Sequence, residues 1–535
     1  MEQKTDVLVI GGGIAGLRAA IEASKIGAKT TLVVKEKLGK SGATVRCGRC
    51  GISAALRYSD PDDSPEEHLK DILSASLGMC DQKLARILAY EAPDRVKELD
   101  KWGGMIQKKQ VLGCFHTRVR SLVPKVPILN PVIDKLKETD VEVIEEVMIY
   151  DLLIKNGECF GAVGVNKNDE VIAYLAKSVI LATGGAGQLY KLNFNTNDLT
   201  GDGYAMAYRA GANLMNMEFM QFGVNTLYPP LPDQRIWGIK PKVYNVYGEE
   251  FLHKYIPKHI SLDKVFEDRS WHYPFSTRDA SKYLDIAIQK EILKGNGADD
   301  LSVFIDIKGV NKKDIKRFEK KYEVKITHFN PNILDEPIKV APFHHAINGG
   351  MIINEHTEST VKGLFGCGEV ITGPHGADRL GGNMMAACLV FGARAGKYAA
   401  EKSNKTSNNK FEQVIKEKEE IVSEIVKRKY SPLVCEDIKK KIQYSMWKNC
   451  SIVRTEEGLK ETLHLLNYLK EVERNISVTR KNKLKDILSL RNLIETGIIV
   501  VKACLMRKES RGGHYRDDYP EIRKEFSKPI ILRKE

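Results

Sequence analysis

The run Gly11-Gly12-Gly13-Ile14-Ala15-Gly16 sets small residues at the spacing a bound dinucleotide requires. Gly11 permits a tight turn, Gly13 lets the main chain approach a pyrophosphate, and Gly16 lets the following helix pack closely. The free N–H groups of that helix's first turn face the phosphates. Lys35-Glu36 closes the next apolar run. The acidic residue that usually holds the adenosine ribose is therefore displaced by one position or absent, and Glu36 is either that ligand or a solvated surface carboxylate. Arg46-Cys47-Gly48-Arg49-Cys50 sets two thiols between two guanidinium groups that favour thiolates, an arrangement suited to a dithiol relay. The alternative is that both cysteines simply pack as small hydrophobes. Two thiols are too few for a structural zinc or an iron–sulfur cluster.

These groups need a frame to hold them. Asp6 to Ile10 reads as a strand, Leu17 to Ile26 as a helix and Lys29 to Val34 as a second strand, which completes a dinucleotide-binding unit within about 30 residues. Lys177 to Leu181 runs into Ala182-Thr183-Gly184-Gly185, and Gly363 to Val370 again sets small residues after an apolar stretch. Both suit a main chain that passes close to a bulky ligand. Residues 226–338 break the pattern with Tyr228-Pro229-Pro230-Leu231-Pro232 and a lysine-dense helical piece from Lys312 to Lys321. From 401 onward, charged stretches with helical periodicity run from Phe411 to Arg428 and from Gly458 to Val472. The expected organisation is a discontinuous nucleotide-binding domain (1–225 and 339–400), an inserted domain (226–338) and a C-terminal helical domain (401–535).

The chain has 535 residues, enough for about three to four domains. With 42% apolar and 29% charged residues, 43 Gly and 19 Pro, it reads as globular, not collagen-like or disordered. No apolar run is long enough to span a membrane. No export signal precedes the glycine run, so a cytoplasmic location is expected. Ten dispersed cysteines fit reduced thiols better than a disulfide framework. The net charge is +13, and residues 401–535 hold 31 basic against 21 acidic side chains. No zinc-finger spacing or aromatic RNA-binding signature accompanies this basic tail, so no nucleic-acid partner is expected.

Nearly the whole chain resembles the flavoprotein family of succinate dehydrogenase, fumarate reductase, L-aspartate oxidase and adenylylsulfate reductase. The resemblance is carried by the three small-residue segments in order, with the insertion between the second and third. Thr200-Gly201-Asp202-Gly203, Met217 to Phe222, Ser276-Thr277-Arg278-Asp279, His344 to Gly350, His375 to Asn383 and Glu509 to His514 add to it. It implies an α/β fold with a Rossmann-like FAD-binding domain, an α+β capping domain as the insertion, and the helical tail. It implies FAD contacts at Gly11, Gly13, Ala15, Gly16, Lys35, Glu36, Ser41, Gly42, Thr44, Gly51, Ala182, Thr183, Gly184, Asp202, Glu369 and Asn383. In such enzymes a hydride passes between flavin N5 and a substrate carbon. Arg278 stands in the place of the cap arginine that moves a proton at the neighbouring carbon, which requires a dry site and a partner group because arginine is a very weak acid. His345 and Arg379 match the binders of the substrate carboxylate, a task suited to a guanidinium fork and an imidazole donor.

Two departures bear on substrate and cofactor. In succinate and fumarate enzymes the segment after Glu-Phe-x-Gln-Phe carries a His and a Thr that hold the second carboxylate, and here it reads Gly223-Val224-Asn225-Thr226. Asn225 and Thr226 are the remaining candidate donors. The family's flavin-linking histidine aligns with Thr44, which cannot form that bond, so non-covalent FAD is expected; the cysteine pair then lies beside the flavin ring. The resemblance implies a fumarate reductase- or succinate dehydrogenase-like flavoprotein acting on a small carboxylate, partnered by an iron–sulfur or other electron-carrier subunit. The alternatives are an L-aspartate oxidase-like enzyme, an adenylylsulfate reductase-like or disulfide-linked flavoenzyme, and a non-catalytic electron-transfer subunit.

Overall fold

The computed structural model describes residues 1–40, 42–43, 51–231, 233–404 and 412–534. The expected first unit forms as β1 (Glu2–Ile10), α1 (Ile14–Lys25) and β2 (Thr30–Val33). Val7 to Ile10 and Thr30 to Val33 are buried throughout, as parallel strands covered on both faces should be. Strand β3 (Glu142–Ile144) lies at the sheet edge, and β4 (Met148–Lys155), β5 (Glu158–Val165) and β6 (Val171–Leu181) follow in the chain. The sheet order is β3-β2-β1-β6-β5-β4, with β1, β2, β3 and β6 parallel and β4 and β5 joined to β6 as an antiparallel meander. Helix α2 (Asp202–Arg209) comes next.

The insertion builds a second, antiparallel sheet from β7 (Met220–Leu227), β8 (Pro230–Leu231), β9 (Lys242–Tyr244), β10 (Val303–Asp306) and β11 (Ile338–Ile347), ordered β8-β7-β11-β10-β9. Helices α3 (Leu262–Trp271) and α4 (Lys282–Glu291) pack with it around a separate core that includes Trp237, Phe266, Leu284, Ile305 and Val340. Ser261 caps α3 by accepting from the Lys264 N–H at 3.2 Å, which satisfies an otherwise orphaned donor of the first turn. The sheet of the insertion reaches past the expected limits of 226 and 338, because β7 and β11 pair from Met220–Ile347 to Thr226–Val340. Met220, Phe222 and Ile347 belong to the first domain's core, whereas Val224 and Val340 belong to the second. This ladder therefore passes from one core into the other.

After the insertion, β12 (Leu364–Gly366) returns to the first sheet in parallel with β6. Ile10 pairs with Leu181 and Leu181 with Gly366. The carboxyl ends of three neighbouring parallel strands thus bring the three small-residue segments side by side, the edge at which such sheets bind ligands. Helix α5 (Asn383–Ser403) then crosses α1 closely. A side chain at Gly392 or Gly396 would lie 2.7 Å from Ala15 O or 2.2 Å from Ala19 O.

The C-terminal region is helical, with α6 (Glu412–Lys427), α7 (Cys435–Cys450), α8 (Glu456–Glu473) and α9 (Leu484–Met506). Helix α9 docks on the first domain: Thr496 Oγ1 donates to Gly201 O at 3.0 Å and Asn492 Nδ2 to Asp202 Oδ1 at 2.9 Å. Trp447 of α7 instead enters the core of the insertion and donates to Pro342 O at 3.1 Å. Among the described residues no helix is long and apolar enough to cross a membrane.

Candidate active site at the seam between the two sheets

The glycine run leaves β1 at Gly11, whose φ of +118° is strained for any other residue, and where a side chain would meet Ala182 O at 2.3 Å. Gly16 permits α1 to lie on this turn, since a Cβ there would sit 2.0 Å from Gly11 O. A Cβ at Gly13 would meet nothing within 4 Å. Gly13 begins α1 without a side-chain cap, and no acidic residue stands in the first turn, which leaves N–H donors and a favourable dipole for an anion. Across the strand ends, Thr183 Oγ1 is buried without a hydrogen-bond partner. Free donors, open space and the absence of carboxylates fit the diphosphate of a dinucleotide.

Farther out, Lys35 Nζ donates to Asp202 Oδ2 and Thr200 Oγ1, both at 2.9 Å. Glu36 is half-exposed and faces Lys485 Nζ at 3.4 Å. Gly42 N donates to Thr196 Oγ1 at 3.1 Å. Asn383 opens α5 and is buried with its Oδ1 3.0 Å from His68 Nε2. Glu369 follows β12 and accepts the Ile347 N–H at 2.9 Å. Burial pushes its carboxyl up to about 7, against the hydrogen bond that favours ionisation. Ser41 and Thr44, like Cys47 and Cys50, lie outside the described residues.

At the seam, the register of β7 against β11 shifts between Gln221 and Phe222: Gln221 faces Ala346, and Phe222 faces His344. His345 is thereby the extra residue of a bulge, a device that re-aims a side chain out of the ladder. Its ring packs edge-on against Tyr273 with centroids 5.4 Å apart, and its Nδ1 is buried without a partner. Arg379 is buried, with Nε donating to Gln221 Oε1 at 3.0 Å and Nη1 to Leu380 O at 3.3 Å. Loss of hydration lowers the Arg379 pKa while Glu369 opposes the shift. Burial also drives His345 and His375 down to about 3, with the Arg379 charge adding to it. Both imidazoles are thus neutral at neutral pH and serve as hydrogen-bond groups, not as cations.

Two expected positions lie apart from His345 and Arg379. Arg278, expected beside the substrate, is exposed: its Nη2 lies 3.5 Å from Ser74 Oγ and its guanidinium 5.1 Å from the Phe115 ring centroid. It stands at the rim and does not share the buried slot of His345 and Arg379, because the chain turns outward after buried Ser276. Thr226 points to the opposite face of β7 from Gly223 and Asn225, as strand alternation requires, and its hydroxyl is spent on Pro229 O at 2.7 Å. Asn225 does face the seam; its Nδ2 donates to Gly223 O at 2.7 Å and lies 3.4 Å from Tyr273 Oη, leaving Oδ1 without a partner.

Sequence reading missed two residues at this place. Tyr273 and Arg269 come from the end of α3 and the turn after it, where no motif marks them. Arg269 is fully buried; Nε lies 3.1 Å from Asp285 Oδ2, Nη1 donates to His272 O, and Nη2 has no hydrogen-bond partner. Its guanidinium lies 5.5 Å from the Tyr273 ring centroid. The only signal in the sequence was Gly223, whose missing side chain leaves a space that another group must fill.

A family model described as "FAD binding domain" matches residues 6–385, and one described as "Fumarate reductase flavoprotein C-term" matches residues 439–533. The chain is 34% identical to a fumarate reductase (CoM/CoB) subunit of Methanothermobacter marburgensis over 99% of this chain and 97% of that protein. It is 30% identical to a succinate dehydrogenase flavoprotein subunit of Rickettsia bellii, over 97% of this chain and 91% of that one. Among solved structures, Mycobacterium smegmatis Sdh1 in complex with UQ1 superposes with a TM-score of 0.85 at 28% identity, covering 100% of this chain and 94% of the other.

Proposed function

We propose that this chain, which belongs to the FAD-dependent flavoprotein family of succinate dehydrogenase, fumarate reductase, L-aspartate oxidase and adenylylsulfate reductase, is a fumarate reductase-like flavoprotein that acts on a small carboxylate. It is an FAD-dependent oxidoreductase; bound FAD supplies the two-electron chemistry, exchanging a hydride with a substrate carbon. One observation carries the substrate class. Arg379 is a buried guanidinium with no carboxylate within salt-bridge distance among the described residues. Buried Arg18, Arg120, Arg269, Arg507 and Arg516 each have such a partner. Arg454 also lacks one but is wrapped by Ser451 O and Glu218 O at 2.8 Å. A buried cation without a counter-ion is costly, and a substrate carboxylate is the anion that completes it.

In this reading the glycine turn, the α1 N-terminus and the segment after β6 hold the diphosphate, while Lys35 and Asp202 stand toward the adenosine end. Arg379 grips one carboxylate through its fork, Gln221 fixes the guanidinium plane, and neutral His345 donates a further hydrogen bond. Arg278, at the rim beside Phe115, keeps the proton-moving role that the family resemblance implies. Thr44 supports non-covalent FAD. The Methanothermobacter relative is one subunit of an enzyme by name, which supports electron supply through a partner carrier protein.

The test is anaerobic. The holoprotein's flavin is reduced, fumarate is added, and the visible flavin absorbance is followed beside a control without substrate. Rapid reoxidation is expected; a flavin that stays reduced with fumarate but reoxidises with another acceptor, such as oxygen, overturns the fumarate assignment and turns the search toward L-aspartate.

A further inference from the structure

The space beside Gly223, left by its missing side chain, is filled by two buried groups. A Cβ built on Gly223 would lie 2.2 Å from Tyr273 Cε2 and 3.1 Å from Arg269 Nη2. Both groups are buried on the side of β7 that faces the seam. Among the described residues Arg269 Nη2 has no hydrogen-bond partner, and the Tyr273 hydroxyl has only the long contact from Asn225 Nδ2 at 3.4 Å. The charges of Arg269 and Arg379 both act on the Tyr273 hydroxyl and on the Cys114 thiol, so both guanidiniums lie near these two groups. The Tyr273 ring also touches His345 edge-on, which links it to the first carboxylate binder.

We propose that Tyr273 and Arg269 are the specificity-determining residues at the far end of the substrate site. There the two side chains take the space left by the absent side chain of Gly223 and present the Tyr273 hydroxyl and Arg269 Nη2 to a second carboxylate. The inference rests on the reading of the seam as a carboxylate site and adds which residues select two carboxylates over one. Gly223 is then a requirement: any side chain there displaces the tyrosine. The Tyr273 O–H donates to the carboxylate, and Arg269, held by Asp285 through Nε, presents its unpaired Nη2.

The test uses non-reacting ligands, so that it does not depend on turnover. Malonate and propionate are titrated separately into the oxidised FAD-loaded protein, and binding is read from the perturbation of the flavin spectrum. The wild type is expected to bind malonate about tenfold or more tightly than propionate, in keeping with a charge-assisted hydrogen bond at a buried site. Tyr273→Phe, which removes a single oxygen, is expected to lose about tenfold in malonate affinity while propionate changes less than about twofold. Arg269→Lys is a second variant that keeps the charge near Asp285 and should erode the same preference. A wild type without the preference overturns the proposal, as does a preference unchanged in both variants. The fumarate experiment run in parallel separates the two ideas. Malonate selectivity lost in the variants, with no reoxidation by fumarate, sinks the reductase reading and leaves this assignment standing.

Discussion

Asp378 precedes Arg379 in the chain but differs from it in electrostatic state. It is buried, its Oδ2 accepts from Ser276 Oγ at 2.5 Å, and its Oδ1 has no partner. Burial pushes its pKa up to about 7, although Ser276, Arg278 and Arg379 all pull the other way. A folded-state pKa raised above the unfolded value means that the folded chain binds the extra proton. The stability associated with this group is therefore complete below the ordinary carboxylate pKa and is lost as pH rises through about 7. Asp378→Asn removes that loss. Thermal melts of flavin-free wild type and variant at about pH 5 and about pH 8 should show a smaller drop for the variant; equal drops would mean that the carboxyl is ionised in the folded protein at both values. At this scale the sequence carries the residues that sit in motifs. Arg379 and His345 are legible because a short local pattern holds each. Arg269 is not, because the partner that orients it, Asp285 on the following helix, and its place beside Gly223 come together only once β7 packs against the end of α3. Arg278 shows the converse: an arginine in a familiar segment whose side chain the fold turns to solvent.

Elements are legible where one period dominates. The turn of strand β1 into α1 carries its own geometry, and the helices found at Lys312–Tyr322, Glu412–Lys427 and Glu456–Glu473 follow runs with a clear 3.6-residue repeat. The limits of the insertion do not read the same way, because β7 and β11 are buried along almost their whole length and belong to both cores. The bulge at His345 is invisible in sequence, since it depends on the pairing partner. The glycine turn offers a prediction in which packing and ligand binding come apart. Gly16→Ala would thrust a methyl to 2.0 Å from Gly11 O, so the strand-helix junction must shift, and the purified protein should melt earlier and carry little FAD. Gly13→Ala meets open space at φ −73°, which alanine adopts freely. Its flavin-free form should melt within about 2 °C of wild type, while FAD affinity falls about tenfold or more because the methyl stands where the diphosphate approaches. Unchanged FAD affinity in Gly13→Ala would remove this turn from the cofactor site.

For the molecule as a whole, cofactor binding and stability are coupled through the way the C-terminal helices close on the first domain. Asp202 is shared by Lys35 from the end of β2, Thr200 before α2 and Asn492 of α9. The adenosine end of the proposed FAD site is thus tied to a helix nearly 300 residues farther along the chain, and ordering that end consolidates the contact between two regions. On the proposed reading, in which Thr44 forms no bond to the flavin, the cofactor reaches this network as a dissociable ligand. A ligand that binds only the folded state stabilises it in proportion to the logarithm of its free concentration, by about 2.7 kcal/mol at a hundred times its Kd. The melting temperature of the full chain should therefore climb steadily as FAD is added beyond stoichiometry, and acid precipitation should leave the flavin in the supernatant. The same titration on Asn492→Ala should start from a lower melting temperature and rise along a displaced curve, because the variant weakens the seam on which the adenosine end rests. A melting temperature indifferent to added FAD, with flavin retained in the acid pellet, would instead require a covalent attachment outside the position aligned with Thr44.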